Sequence, residues 1–392
     1  MKIHFYLVLT ILLLSNFVFG QKPKVVVLGI EHSSQLINYN HQPAVLRAFI
    51  NRVNPSAICI ERSPEEYLRN DFYEFTFEQQ EVVIPLAKQN QIPIYPIDWL
   101  PSSDDLKLAF GTDNLETPSF IRNPSGFWGF TVFSDSTSLD KSFYFADEFE
   151  YTKTNKEWYG TYPQKLQYDF ARRLFLYRTF MQAKRIQAVL KNFNENNTVL
   201  VIVGALHKNE IEEIIQGNGF TLISPKSFGA FIETEINDNF IKKDAYKILN
   251  FNLLGMQANI GNPNMKLVKF AFDKIIEDEN TERKLYKIKY NLLLNKIDSE
   301  SAIKKYKRLI EDSQPQKNFN WTGVKDRSRI DSYFDPFGNL NLNQRIRLEL
   351  AREYLNTSNK KLYNKTKNEL INKFKGLKKN MLMSYIETYL EK

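Results

Sequence analysis

Five short apolar runs rich in β-branched residues recur along the first 230 residues of the chain. They occupy residues 25–30, 57–60, 92–97, 198–203 and 220–223. A continuous apolar run of this length is typical of a strand that is buried on both faces of a sheet. Segments with helical spacing of apolar residues separate the runs, at 43–53, 77–90, 164–192 and 205–215. This alternation predicts an α/β fold, with a mostly parallel central sheet flanked by helices and joined by right-handed crossovers.

Two of the apolar runs end in the same short pattern, a glycine followed three positions later by a histidine. Gly29 and His32 close the first run, and Gly204 and His207 close the fourth. We expect each glycine to let the backbone turn off the sheet edge. The two histidines should then lie at the carboxyl ends of their strands, where open α/β sheets bind ligands. Two of the four histidines in the chain share this position.

Acidic residues follow two further predicted strands. Glu61 comes directly after residues 57–60, and Asp98 and Trp99 come directly after 92–97. Glu61 is either a site carboxylate or the salt-bridge partner of an arginine, and Asp98 is either a second site carboxylate or a turn-forming residue. Trp99 either contacts a substrate or packs in the core. Arg178, on the helix predicted at 164–192, either clamps an anionic group or is a buried partner of Glu61 or Asp98.

Residues 100–163 interrupt the alternation of strands and helices. They are rich in Ser, Asp, Thr, Phe and Gly, and they contain the aromatic stretch 127–130. The segment is predicted to be an insertion in the α/β domain of residues 21–230. It forms either a lid or wall of a substrate cleft, or a surface excursion with its own aromatic cluster.

From about residue 231 the composition changes to Lys, Asn, Leu, Ile and Tyr. Residues 1–230 carry a formal net charge of −2, whereas residues 231–392 carry +10. The periodic segments of this part predict a lysine-rich helical C-terminal region with a solvated face. Charges of both signs interleave in it and no long basic tract occurs, so we expect no nucleic-acid partner.

The first twenty residues have the order of regions that a signal peptide has. A lysine precedes an apolar stretch, and small residues come before Gln21. The apolar stretch is shorter than the ~20 residues that a membrane span needs. We therefore expect an exported protein, periplasmic or secreted, without a stable transmembrane anchor. The single cysteine, Cys59, lies in an apolar run and excludes an internal disulfide framework.

The motifs described above, taken in their order along the chain, resemble those of the TraB/Tiki-like family. That family belongs to the superfamily that also contains erythromycin-esterase-like and ChaN-like haem-uptake proteins. The resemblance covers roughly residues 24–225. The family's helix usually has Asn or Asp after the arginine and then a Met-Ala pair, whereas this chain has Thr179 and Gln182-Ala183. The matching positions are the Gly29–His32 pattern, Glu61, Arg178 and the Gly204–His207 pattern.

The resemblance implies an exported hydrolase that cleaves a peptide or ester-type bond in a peptide or small-molecule substrate. His32, His207 and Glu61 would hold a divalent metal, Mn, Co or Zn, which lowers the pKa of a bound water. Glu61 would be a metal ligand or the general base, with Arg178 beside it. The alternatives are a ChaN-like haem-binding protein and a catalytically inactive scaffold that uses the same cleft. The sequence leaves the oligomeric state open.

Overall fold

The computed structural model describes residues 22–71, 76–102, 104–105, 139–160, 169–260, 262–322 and 340–391. The predicted signal peptide and residues 106–138 of the predicted insertion lie outside these ranges. Within the ranges, no helix combines the length and the apolar character that crossing a membrane requires.

A five-stranded parallel sheet forms the centre of the fold, which confirms the α/β prediction. Its strands are β1 (Lys24–Ile30), β2 (Ala57–Ile60), β3 (Ile94–Pro96), β4 (Thr198–Gly204) and β5 (Thr221–Leu222), in the order β3-β2-β4-β1-β5. Nearly every residue of β1 and β4 is buried, because helices cover both faces of the sheet. In the register of these two strands Ile30 pairs with Gly204. Both strands therefore end at the same level.

Six α-helices belong to the α/β part of the described chain. They are α1 (Pro43–Val53), α2 (Pro64–Arg69), α3 (Ile84–Gln89), α4 (Phe149–Gly160), α5 (Phe170–Leu190) and α6 (Ala205–Gly217). One turn of π-helix, Gln79–Val83, leads into α3. Helices α5 and α6 cover one face of the sheet, where their apolar side chains pack on Val25, Val27, Val199 and Val201. Helix α6 begins directly where β4 ends.

The C-terminal region is helical in all its longer described segments, as predicted. Its helices are α7 (Glu233–Asn239), α8 (Lys242–Leu253), α9 (Met256–Ile260), α10 (Met265–Asp273), α11 (Thr281–Leu293), α12 (Ser299–Asp312), α13 (Leu342–Asn356), α14 (Lys360–Ile371) and α15 (Gly376–Tyr389). The pattern at 363–389 predicts one helix, and this prediction is wrong. The chain leaves the helix after Ile371, and Gly376 has a φ of +56°, which a continuous helix does not contain.

The second face of the sheet shares one hydrophobic core with the C-terminal helices. Leu28 and Ile202 of the sheet belong to the same buried cluster as Leu249, Tyr286 and Ile346. A buried ion pair also joins α1 to α8, with 2.5 Å between Nη1 of Arg47 and Oδ2 of Asp244. The change of composition near residue 230 therefore does not coincide with a break in the core. The division into two domains stays a prediction.

Candidate functional site

Glu61 and the two histidines of the Gly-x-x-His patterns meet at the carboxyl edge of the sheet. His32 follows β1, Glu61 follows β2, and His207 lies in the first turn of α6 after β4. Nε2 of His32 is 3.3 Å from Oε2 of Glu61, and Nε2 of His207 is 3.4 Å from Oε1. The two imidazoles thus face the two oxygens of one carboxylate. The strand order explains this convergence, because β4 lies between β1 and β2.

The Glu61 carboxylate is buried and fully engaged. Its Oε1 accepts a hydrogen bond from Nη2 of Arg178 at 2.8 Å, and its Oε2 accepts one from the Gly204 amide at 2.5 Å. Burial by itself raises the pKa of this carboxyl group, but the contacts with His207, His32 and Arg178 outweigh burial and hold the pKa well below its ordinary value. Glu61 is therefore a persistent anion and a weak proton acceptor.

Arg178 is also held by Asp98. Its Nε and Nη2 donate to the two Asp98 oxygens at 2.8 and 2.7 Å, and Nη2 also bonds Glu61. Gln182, one turn further along α5, donates to Oδ1 of Asp98 at 2.7 Å. Asp98 is fully buried and orients Arg178, and its contact with a substrate stays a prediction. Trp99 packs edge-on against Tyr177 of α5, with ring centroids 4.9 Å apart.

His32 lies between two carboxylates. Its Nδ1 is 2.9 Å from Oε1 of Glu78, and its Nε2 faces Glu61. Burial by itself lowers the pKa of this imidazole, but the charges of Glu78 and Glu61 outweigh burial and raise the pKa to about 10. His32 is therefore an imidazolium at neutral pH, with one N–H directed at each carboxylate. Its side chain is 16% exposed, compared with 2% for Glu61 and 3% for His207.

The partner of Nδ1 is a neutral hydroxyl in His207, whereas it is a carboxylate in His32. Its Nδ1 is 2.7 Å from Oγ1 of Thr179, and its ring stacks on Phe175 at 4.3 Å. Burial lowers the pKa of this imidazole, the charge of Glu61 recovers only part of the loss, and Arg178 lowers the pKa further. His207 is therefore neutral at pH 7.

Thr179 selects the tautomer of His207. Its hydroxyl donates its one proton to the Phe175 carbonyl at 2.9 Å, so it can only accept from His207. The ring proton of His207 then lies on Nδ1. Its Nε2 then carries a lone pair 3.4 Å from Oε1 of the Glu61 anion, whose charge opposes that lone pair and favours a proton on Nε2.

The two pattern glycines provide space for neighbouring side chains. The chain leaves the sheet directly after Gly204, whereas β1 continues through Ile30. Neither glycine has a positive φ, and the left-handed residue beside the site is Ser33, at 61°. A Cβ on Gly204 would lie 2.8 Å from Nε2 of His32, and one on Gly29 would lie 2.9 Å from Cδ of Lys208. Each glycine therefore permits a close approach that a larger residue would prevent.

Sequence reasoning missed three residues of the site, Glu78, Thr179 and Gln182. Glu78 directly precedes the π-helical turn, a feature that is frequent at functional sites but has no clear sequence pattern. Thr179 and Gln182 follow Arg178 on α5 and are the positions at which the helix departs from the family pattern. That departure was the available sign that they contact the site.

The described end of the insertion forms a wall beside His207. Asn155 and Tyr159 of α4 both donate hydrogen bonds to the carbonyl of Leu206, at 3.2 and 2.7 Å. Tyr159 also lies against Phe175, the ring on which His207 stacks, with centroids 6.0 Å apart. The aromatic stretch 127–130 lies outside the described residues.

The donors around Glu61 do not form a metal site as they are placed. The described part of the chain contains no group of three or more His, Cys, Asp or Glu side chains positioned to hold a metal ion. Arg178 already contributes a permanent positive charge at Oε1, and the Gly204 amide already bonds Oε2. The metal therefore stays a prediction, and no chemical step proposed below passes through one.

Comparisons with protein-family models, with curated proteins and with solved structures found no match for this chain.

Proposed function

We propose that the chain is a hydrolase of a peptide or ester-type bond, in which His207 accepts a proton and His32 donates one. The observation that supports this most is the pair of imidazoles on one carboxylate, with the pKa of His32 raised to about 10 and that of His207 lowered. Titratable neighbours whose pKa values are driven apart are characteristic of acid–base pairs in enzymes. Their position at the carboxyl edge of a parallel sheet agrees with a ligand site.

In the proposed reaction, water adds to the carbonyl carbon of the scissile bond and loses a proton to Nε2 of His207. The His32 imidazolium gives a proton to the leaving group as the carbon–oxygen or carbon–nitrogen bond breaks. Glu61 lies between the two rings, and the proton returns across it from His207 to His32. Each acid–base group typically contributes ~10²–10⁴ in rate. Because the pKa of Glu61 is low, we assign the role of base to His207 and not to Glu61.

Asp98, Arg178 and Gln182 are positioning residues in this scheme. Arg178 fixes Oε1 of Glu61, and Asp98 and Gln182 fix Arg178. The substrate approaches from the side of His32, since that side chain is the more exposed of the two histidines.

The family, the exported location and the metal belong to the same proposal. The order of the motifs along the chain supports the TraB/Tiki-like family, and the pattern of residues 1–20 supports the exported location. The haem-binding and scaffold alternatives use the same cleft but require no proton transfer, so they predict different behaviour of the site variants.

The test is a screen of peptide and ester substrates with the purified chain, in chelator and with added Mn²⁺, Co²⁺ or Zn²⁺. We expect turnover by wild type and a loss of ~10²-fold or more in His207→Ala, with a smaller change in substrate binding. Glu213→Gln is the matched control, because Glu213 is an exposed residue of α6 that pairs with Lys156. Wild type that is inert throughout but gives a haem absorbance band would favour the haem-binding alternative.

A further inference from the structure

A groove with an excess of positive charge lies between α11 and α12, in the C-terminal region. Its volume is about 380 Å³, and the buried side chains of Ile288 and Leu309 contribute apolar lining. Binding sites for small molecules have volumes of roughly 300–1,000 Å³. The groove is therefore large enough for a small organic ligand.

Five of the residues that line the groove are cations and two are anions. The cations are Arg283, Lys284, Lys287, Lys305 and Arg308, and the anions are Glu279 and Asp312. The two anions are exposed. Within the described ranges, no ion pair is formed by the five cations or by these two anions. Like charges at close range repel each other, so the groove has an unbalanced field that an anionic ligand would neutralise.

Arg283 gives the second, independent indication of a ligand. Its side chain is only 8% exposed, and its buried Nε has no hydrogen-bond partner among the described residues. Its guanidinium lies over the Phe272 ring, 5.6 Å from the centroid, and that contact supplies no acceptor for Nε. A buried charged donor without an acceptor is costly, and an oxyanion in the groove would satisfy it.

We propose that this groove binds the phosphate groups of an anionic ligand that carries several negative charges. Arginine presents a planar fork that matches phosphate oxygens, and lysines on both sides add point charges. The apolar lining would receive the organic part of the ligand. The phosphates belong either to a free small molecule or to an anionic lipid headgroup. This site is separate from the Glu61 site and does not depend on the proposed hydrolase.

The experiment measures binding of two probes to the full chain at low ionic strength. Inorganic tripolyphosphate represents the free ligand, and phosphatidylcholine vesicles that contain phosphatidylglycerol represent the lipid. Titration calorimetry measures the first and co-sedimentation the second. We expect Lys287→Glu/Lys305→Glu to weaken binding by about tenfold or more, because two attractive charges become repulsive. Both lysines are exposed, so the variant should fold.

The matched control is Lys304→Glu/Lys360→Glu, which makes the same charge change at exposed lysines outside the groove. We expect this control to bind within about twofold of wild type. Tripolyphosphate should also raise the melting temperature of wild type and of the control more than that of the groove variant. The probe whose binding depends on the groove identifies the source of the phosphates. The proposal is overturned if wild type binds neither probe, or if the control loses as much affinity as the groove variant.

Discussion

The two Gly-x-x-His patterns are alike in sequence and opposite in chemistry. Each follows a central strand, and each histidine faces one oxygen of Glu61 at 3.3 or 3.4 Å. The pKa of His32 is nevertheless raised to about 10, whereas that of His207 is lowered. The difference comes from the partner of Nδ1, which is the Glu78 carboxylate for His32 and the Thr179 hydroxyl for His207.

The comparison teaches that a motif brings a histidine to the site but does not set its charge. Burial disfavours the imidazolium in both cases. A second carboxylate overcomes that cost for His32, and a neutral hydroxyl does not overcome it for His207. The residues that make this difference are Glu78, directly before the π-helical turn, and Thr179 of α5, and both are distant in sequence from the histidine they contact.

The largest effect is expected from Glu61→Gln, which removes the anion that both histidines share. It leaves buried charges on Arg178 and His32 with fewer partners, and breaking such a network costs about 3–5 kcal/mol of unfolding free energy. Urea unfolding measures this loss. The pKa of His32 should fall at the same time, which an NMR titration follows. The exposed control Glu213→Gln should change stability by no more than ~0.5 kcal/mol. An equally small change in Glu61→Gln would contradict the network.

Much of this fold could be predicted from the sequence, because continuous β-branched runs flanked by turns have few alternative structures. The third strand is shorter than predicted, Ile94–Pro96 instead of 92–97, and Pro93, which lacks the N–H that a ladder needs, directly precedes it. The convergence of His32, Glu61 and His207 followed from their places at strand ends.

The rest of the site depends on tertiary contacts that periodicity does not encode. Glu78 reaches His32 from a helical turn 46 residues away, and Thr179 reaches His207 across 28 residues. The spatial role of the glycines also needed coordinates, because a Gly that makes room and a Gly that turns look the same in one sequence. The shared core of the sheet and the C-terminal helices was hidden by the change of composition near residue 230.

The pH dependence of stability should reveal the two histidines separately. The pKa of His32 is higher in the folded state, so its contribution is complete below the unfolded value near 6.5 and is lost as the pH rises toward about 10. The pKa of His207 is lower in the folded state, so its contribution is present above about 6.5 and is lost on acidification, together with that of His41, whose pKa burial lowers to about 4. Urea unfolding from pH 5 to 10 measures the free energy of unfolding on both the acidic and the alkaline side of this dependence. His32→Gln should remove the pH dependence of the free energy of unfolding on the alkaline side only. If it removed the dependence on both sides, the alkaline side could not be assigned to His32 alone.

A smaller effect is expected from alanine at either pattern glycine, roughly 1–3 kcal/mol of lost stability from overpacking. The two variants should differ in their effect on the site. The new Cβ of Gly204→Ala meets Nε2 of His32, whereas that of Gly29→Ala meets Ala146 and Lys208. Gly204→Ala should therefore lower the pKa of His32 by moving the ring away from Glu61. Gly29→Ala is the control, and an NMR titration in which both variants shift His32 equally would remove the distinction.

The smallest effect is expected from Thr179→Val, which replaces a hydroxyl by a methyl group of similar size. The buried Nδ1 of His207 loses its partner, which should cost about 1 kcal/mol. The more informative readout is the tautomer. Without the hydroxyl, the tautomer with the ring proton on Nε2 becomes the more stable one, because Oε1 of Glu61, 3.4 Å away, can accept a hydrogen bond from that proton. In Thr179→Val the ¹⁵N chemical shifts should then show a protonated Nε2 and an unprotonated Nδ1. In Thr179→Ser they should show the wild-type pattern, with the proton on Nδ1. Since a base needs a lone pair on Nε2, turnover should fall in the valine variant and persist in the serine variant. Unchanged ¹⁵N shifts in Thr179→Val would mean that the hydroxyl does not set the tautomer of His207.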